Sequence, residues 1–189
     1  MESVDRLRKK LKPGEVYRRG ELASWSSSVD RHIGELVKDG TLQKLSGGLF
    51  YYPRQTVFGQ APPDERKLIS GFLKDDEFLL TSPNVYNSLG VGTTQLYNTR
   101  VVYNHKRHGK FRLGNQEFDF RVKHRFPSLV TPEFLLVDLV NNLNSLAEDK
   151  EKVLKNVAQK TTGMNKTALK KSVARYGNVG TKKFFAPLL

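Results

Sequence analysis

The sequence contains no cysteine, which excludes disulfides, thiol chemistry and every zinc site built on sulfur. Long apolar runs are missing too. The best candidate, FLLVDLV at residues 134–140, is interrupted by Asp138 and falls far short of the roughly 18 residues that cross a bilayer. The opening MESVDRLRKKLK is charged with no apolar stretch behind it, so no secretion signal is read there and a cytoplasmic location is expected. Acidic residues are scarce: 19 Asp+Glu stand against 32 Lys+Arg, a net charge of +13. The excess is spread along the chain, with 11 basic and 7 acidic groups in residues 1–60, 11 and 7 in 61–130, and 10 and 5 in 131–189. Such a balance favours polyanions through counterion release and steering, and double-stranded DNA is the leading partner. At 38% hydrophobic over 189 residues, the chain holds enough apolar surface for a folded core.

Catalytic patterns are also lacking. Neither GxxxxGK[ST] nor GxGxxG occurs, and LGVGTT (89–94) reads as a turn. His105, His108 and His124 lie in or near the basic turn NHKRHGK with no carboxylate beside them. Dense positive charge disfavours a metal cation there, and a loop touching phosphate is the better reading. Glu117, Asp119 and Lys123 alternate along one strand-like segment, so a metal-dependent nuclease using Asp119 and Lys123 stands as an alternative function. The hairpin register of KFRLGNQEFDFRVK pairs Lys110 with Asp119 and Arg112 with Glu117 across a Gly114-Asn115 turn, which gives those carboxylates structural partners instead. No catalytic residue, metal ligand or cofactor is therefore expected.

Periodicity supplies what is present. Val4, Leu7 and Leu11 form the apolar stripe of a first helix ahead of Lys12-Pro13-Gly14. Val16 and Tyr17 suit a short strand, Arg19–Ala23 a brief second helix, and Ser24–Ser28 a turn with an N-cap. The third helix carries Val29, Ile33, Leu36 and Val37 on one side and Ser27, Arg31, Gly34 and Lys38 on the other, and it stops at Asp39-Gly40. Two short apolar segments around Ser46-Gly47-Gly48 follow. Helix, strand, helix, helix and glycine-tipped hairpin is the order of a winged helix, whose third helix enters the major groove with the hairpin beside it. On that reading Ser27, Ser28 and Arg31 face the groove, Lys38 extends the same face, Arg18 and Arg19 meet phosphates, and Lys44 and the wing tip meet the adjacent backbone. Of Tyr51 and Tyr52 one ring points outward, and Tyr51 is taken as the contact. Trp25 packs at the helix junction.

Pro53–Pro63, with three prolines and Gly59, reads as a linker, giving a winged-helix domain at 1–57 and a second domain at 58–189. The second domain is expected to hold a helix at 64–74, the antiparallel hairpin 110–119, a Thr131-Pro132-capped helix and further helices near 150–157 and 165–176. The class is α+β with a helical C-terminus.

The segments VYRRGELA and VDRHIGELVKDGTLQKLSGGLFYYP resemble the N-terminal winged helix of AbiEi-type antitoxins, the bacterial transcriptional regulators of type IV toxin-antitoxin systems. FGQAPPDERKLISGFLKD, SPNVYNSLGV, RLGNQEFDFR and TPEFLLVDLVNNL are similar in order and spacing to their second domain. The resemblance implies a DNA-binding repressor of its own operon and an antitoxin opposing a nucleotidyltransferase-type toxin without a stable complex. A basic RNA-binding or protein-interaction module without a toxin partner remains open beside it.

Overall fold

The computed structural model describes residues 2–189, the side chains of residues 2 and 3 apart. The fold is α+β, with small antiparallel sheets and a helical C-terminus. It forms two compact units. The first takes the chain up to Glu77 together with Lys110–Phe118, and the second takes Phe78–Gly109 with Asp119–Leu189. No helix among the described residues is long and apolar enough to cross a membrane.

In the first unit α1 (Glu2–Lys10), α2 (Arg19–Ala23) and α3 (Val29–Lys38) enclose a core of Leu7, Leu22, Ile33, Leu36 and Leu42. Strands β1 (Val16–Arg18), β2 (Gln43–Ser46) and β3 (Leu49–Tyr51) form one antiparallel sheet in the order β1-β3-β2. Tyr17 lies opposite Phe50, and Lys44 opposite the same Phe50 on the other side. The β2–β3 turn needs positive φ only at Gly48, at 71°; Gly47 supplies none. Helix α4 (Glu65–Leu73) is capped by the Asp64 carboxylate, which accepts from the Lys67 N–H at 3.0 Å. Gly71 lets this helix press onto the sheet: a Cβ there would stand 3.0 Å from Leu49 Cδ1 and 3.2 Å from Val16 Cγ1.

The expected linker is a second small hairpin. β4 (Gln55–Thr56) pairs antiparallel with β5 (Gly59–Gln60), because Gly59 takes φ 103° and the Thr56 hydroxyl donates to its carbonyl at 2.7 Å. The three prolines lie outside both strands. The base is tied down by the Ala61 N–H on the Arg54 carbonyl and the Tyr51 hydroxyl on the Ala61 carbonyl, each at 2.8 Å. A boundary at 57/58 would cut this hairpin at its tip.

Strands β8 (Gly109–Leu113) and β9 (Gln116–Val122) form the expected hairpin. Its tip belongs with the first unit: the Gly114 N–H donates to the Leu45 carbonyl at 2.8 Å, and Phe111 meets Phe72 at 5.1 Å between ring centroids. Asp119 does not take Lys110 as its partner. Its carboxylate is held by Arg121 of the same strand at 2.8 Å, because residues two apart share a strand face.

In the second unit β6 (Leu79–Thr81) pairs antiparallel with β7 (Arg100–Asn104). A 3₁₀ segment, Pro83–Leu89, follows β6. Helices α5 (Pro132–Asn142), α6 (Lys150–Lys160), α7 (Lys166–Tyr176) and α8 (Val179–Phe185) complete it. The caps repeat one device: the side chains of Thr131, Asp149, Asn165 and Asn178 each accept from a first-turn N–H. Leu136, Val157, Leu169 and Phe185 share one buried cluster. Gly177 ends α7 where a Cβ would stand 2.6 Å from the Val173 carbonyl oxygen. Gly177→Ala is therefore expected to lower stability by about 1–3 kcal/mol. A thermal unfolding midpoint equal to that of the unsubstituted protein would show that the helix end yields freely.

Candidate nucleic-acid interface

Helix α3 is split lengthwise by its sequence. Val29, His32, Ile33 and Leu36 are buried, while Asp30, Arg31, Gly34, Glu35 and Lys38 are exposed. Ser27 and Ser28, just ahead of the helix, are exposed as well. Ser28 sits at the N-cap position, but its side chain makes no capping hydrogen bond, so its hydroxyl is not committed to the helix end. The Arg31 side chain is 66% exposed, lies 3.8 Å from Glu35 and donates to His32 Nε2 at 3.1 Å. Since a guanidinium only donates, that nitrogen accepts, and the ring proton on Nδ1 faces the Ser26 hydroxyl at 2.5 Å. Buried His32 thus ties the turn before α3 to the Arg31 guanidinium. The sequence carried a signal for it: His32 lies three residues after Val29 and four before Leu36, on the buried stripe.

Arg19 is not free to meet phosphate without exchange. Its guanidinium holds both Asp30 oxygens at 2.6 Å in a fork-to-fork pair. This pairing raises Arg19 above its ordinary pKa and lowers Asp30 below the usual carboxylate range. The pair lies in water, where such bonds are readily exchanged. Arg18 is half-buried at the N-cap of α2: its backbone N–H donates to Glu21 Oε2 at 2.7 Å, and its guanidinium, which has no acceptor to offer the helix, stands 3.8 Å from the same carboxylate. Lys44, on β2, is exposed.

Tyr51 is not an outward contact. Its ring is 1% exposed and its hydroxyl is spent on the Ala61 carbonyl, because β3 is the middle strand and the residues after it fold back over that face. Tyr52 is half-buried beside the N-terminal core. Trp25 meets Tyr17 edge-on at 6.0 Å with Lys10 over its ring at 5.6 Å, a packing role.

The second unit holds a polar network that sequence reasoning missed. Asp138, 2% exposed on α5, accepts from the Tyr86 hydroxyl at 2.7 Å and from the Tyr103 hydroxyl at 2.9 Å. The Asn142 amide donates to both hydroxyl oxygens, at 3.2 and 3.1 Å, and its oxygen accepts from Arg121 at 3.0 Å. Burial is the main cause that pushes Asp138, Tyr86 and Tyr103 all upward in pKa. A cavity of about 90 Å³ adjoins the network. Asp119 and Lys123 of the nuclease alternative lie apart in role: Asp119 binds Arg121, and the Lys123 ammonium sits 4.8 Å over the Tyr103 ring. His105 stacks on Phe126 at 4.7 Å, and His108 and His124 are exposed. No group of three His, Asp or Glu among the described residues is placed to hold a metal.

Comparison with known families finds none that matches, and no curated protein matches either. The crystal structure of the RV2827C protein from Mycobacterium tuberculosis is similar in fold. The likeness covers 98% of this chain and 74% of that one, at a TM-score of 0.57 and 14% sequence identity. At that identity the likeness speaks for the fold alone.

Proposed function

We propose that this chain is a DNA-binding transcriptional repressor of winged-helix build, acting in the cytoplasm as the antitoxin of a type IV toxin-antitoxin system. The observation that carries the DNA half is the exposed face of α3, where Arg31 and Lys38 stand on a short helix, with Ser27 and Ser28 exposed just ahead of it and the β2–β3 hairpin after it. The sheet order β1-β3-β2, with the helices ahead of the hairpin, supports a winged-helix reading, in which a third helix enters the major groove and a hairpin flanks it. A net charge of +13 supplies the sequence-independent attraction. The antitoxin half, including opposition to a nucleotidyltransferase-type toxin, rests on the sequence resemblance of both parts of the chain to AbiEi-type antitoxins.

Two measurements test the halves separately. A gel shift with the DNA upstream of the gene tests binding. Growth of cells expressing the neighbouring toxin, with and without this protein, tests protection. Arg18→Ala and Lys44→Ala are each expected to lower affinity for all DNA sequences and to reduce the slope of log affinity against log salt by up to about one unit. An unchanged slope would remove that residue from the interface. Arg18→Ala is paired with a helix-content measurement, since the Arg18 guanidinium also stands 3.8 Å from Glu21 in the first turn of α2.

A further inference from the structure

Arg19 is anchored between the β2–β3 turn and helix α3. Its backbone N–H donates to the Gly48 carbonyl at 2.8 Å, while its guanidinium reaches Asp30 in the first turn of α3. Both Asp30 oxygens are taken, at 2.6 Å each, by Nε and one terminal nitrogen of that guanidinium. Arginine holds a phosphate with the same two-point grip, so the carboxylate fills the seat that a phosphate would need. The two side chains are 51% and 73% exposed, open to an approaching nucleic-acid backbone. Support of the helix does not account for the pair: an acidic side chain in a first turn is favourable without any arginine, and an ion pair this exposed adds little stability.

We propose that Asp30 is an internal stand-in for a DNA phosphate, holding Arg19 out of the interface and lowering the affinity for duplex DNA of any sequence, an inference that rests on the DNA-binding function proposed for this chain. On binding, a phosphate displaces the carboxylate from the guanidinium fork. The displaced carboxylate, left beside a polyanion, takes up a cation in place of the one that the phosphate sheds. Arg19 therefore adds nothing to the salt dependence of binding while Asp30 is present. Such a restraint matters in a chain of net charge +13, which positive charge alone draws to every polyanion.

Fluorescence anisotropy of the full chain on upstream and scrambled duplexes, over a range of salt concentrations, is the test. Asp30→Asn is expected to raise affinity for both duplexes roughly three- to tenfold at about 0.1 M salt, and to steepen the slope of log affinity against log salt by up to about one unit. The gain is equal on the two duplexes because a phosphate contact carries no sequence information. Adding Arg19→Ala to Asp30→Asn is expected to take back both gains. Asp39→Asn is the control: Asp39 pairs with Arg8 at 2.5 Å at the other end of α3, so the same charge is removed without freeing Arg19, and at most a small gain is expected. A purely helix-supporting Asp30 would move the affinity of Asp30→Asn downward. Unchanged or reduced affinity overturns the proposal, as does an equal gain from Asp39→Asn or a gain that survives Arg19→Ala. Each of these outcomes leaves DNA binding itself standing. Failure of both the unsubstituted protein and Asp30→Asn to bind either duplex at low salt overturns the proposal together with the DNA-binding function.

Discussion

Asp138→Ala is expected to lower the stability of the second unit by about 2–4 kcal/mol, since it strips the acceptor from two buried hydroxyls and leaves the Asn142 amide with half-satisfied neighbours. Asp138→Asn is expected to cost less, about 1–2 kcal/mol, because the amide keeps one acceptor of the right shape. The two variants also separate a charge effect from a hydrogen-bond effect. Burial holds the Asp138 pKa above the unfolded value of about 4. A raised acid binds its proton more tightly folded than unfolded, so its contribution is fully present below about pH 4 and is lost as pH rises through the folded pKa. The amide of the Asp138→Asn variant does not titrate and has no such loss. The deficit of Asp138→Asn against the unsubstituted protein should therefore shrink as pH increases from about 4 to about 7, although Asp30 and Asp39, both lowered, tilt the absolute curve the other way in both proteins. Urea midpoints at several pH values read this difference. A deficit independent of pH would mean that the network does not hold Asp138 as described, and equal midpoints for Ala and Asn would mean that the hydroxyls find other acceptors.

Arg31→Ala is expected to weaken binding to the upstream DNA by roughly 1–3 kcal/mol, about 5- to 150-fold, and to relax preference at one base position. The structure adds two companions to this expectation. Arg31→Lys keeps the charge but loses the planar fork and the bond to His32, so it should recover affinity for scrambled DNA while leaving the base preference lost. Glu35→Gln removes a negative charge 3.8 Å from Arg31 and should raise non-specific affinity. Fluorescence anisotropy on operator and scrambled duplexes at two salt concentrations distinguishes these outcomes. An equal loss on both duplexes for Arg31→Ala would make the residue a phosphate contact.

The exposed face of α3 was legible because one helix of ten residues fixes its own inside and outside: the spacing of Val29, Ile33 and Leu36 assigns Arg31, Gly34 and Lys38 to the opposite side before any packing is known. The same local logic placed α2 at Arg19–Ala23, capped α5 with Thr131, and turned β8 into β9 at Gly114. It did not reach the partners of those residues. Arg19 finds Asp30 across eleven positions, a pairing that depends on how α2 meets α3. Strand β7 was missed because RVVYN is a short apolar run without alternation, buried almost throughout, and its partner β6 is remote in sequence.

Local chemistry, then, was determined by the sequence alone: helix faces, caps, turns, the excess of positive charge and the absence of thiols, all set by residues within a few positions of one another. Burial was decided only by the tertiary structure. Tyr51 lost its outward role to the folded-back segment ending at Ala61, the proline-rich stretch became a hairpin once Gln43 and Tyr51 gave it something to bond, and Asp138 became the hub of two tyrosines 52 and 35 residues before it. A buried polar group must find its partner wherever the chain brings one, and sequence distance does not enter that condition.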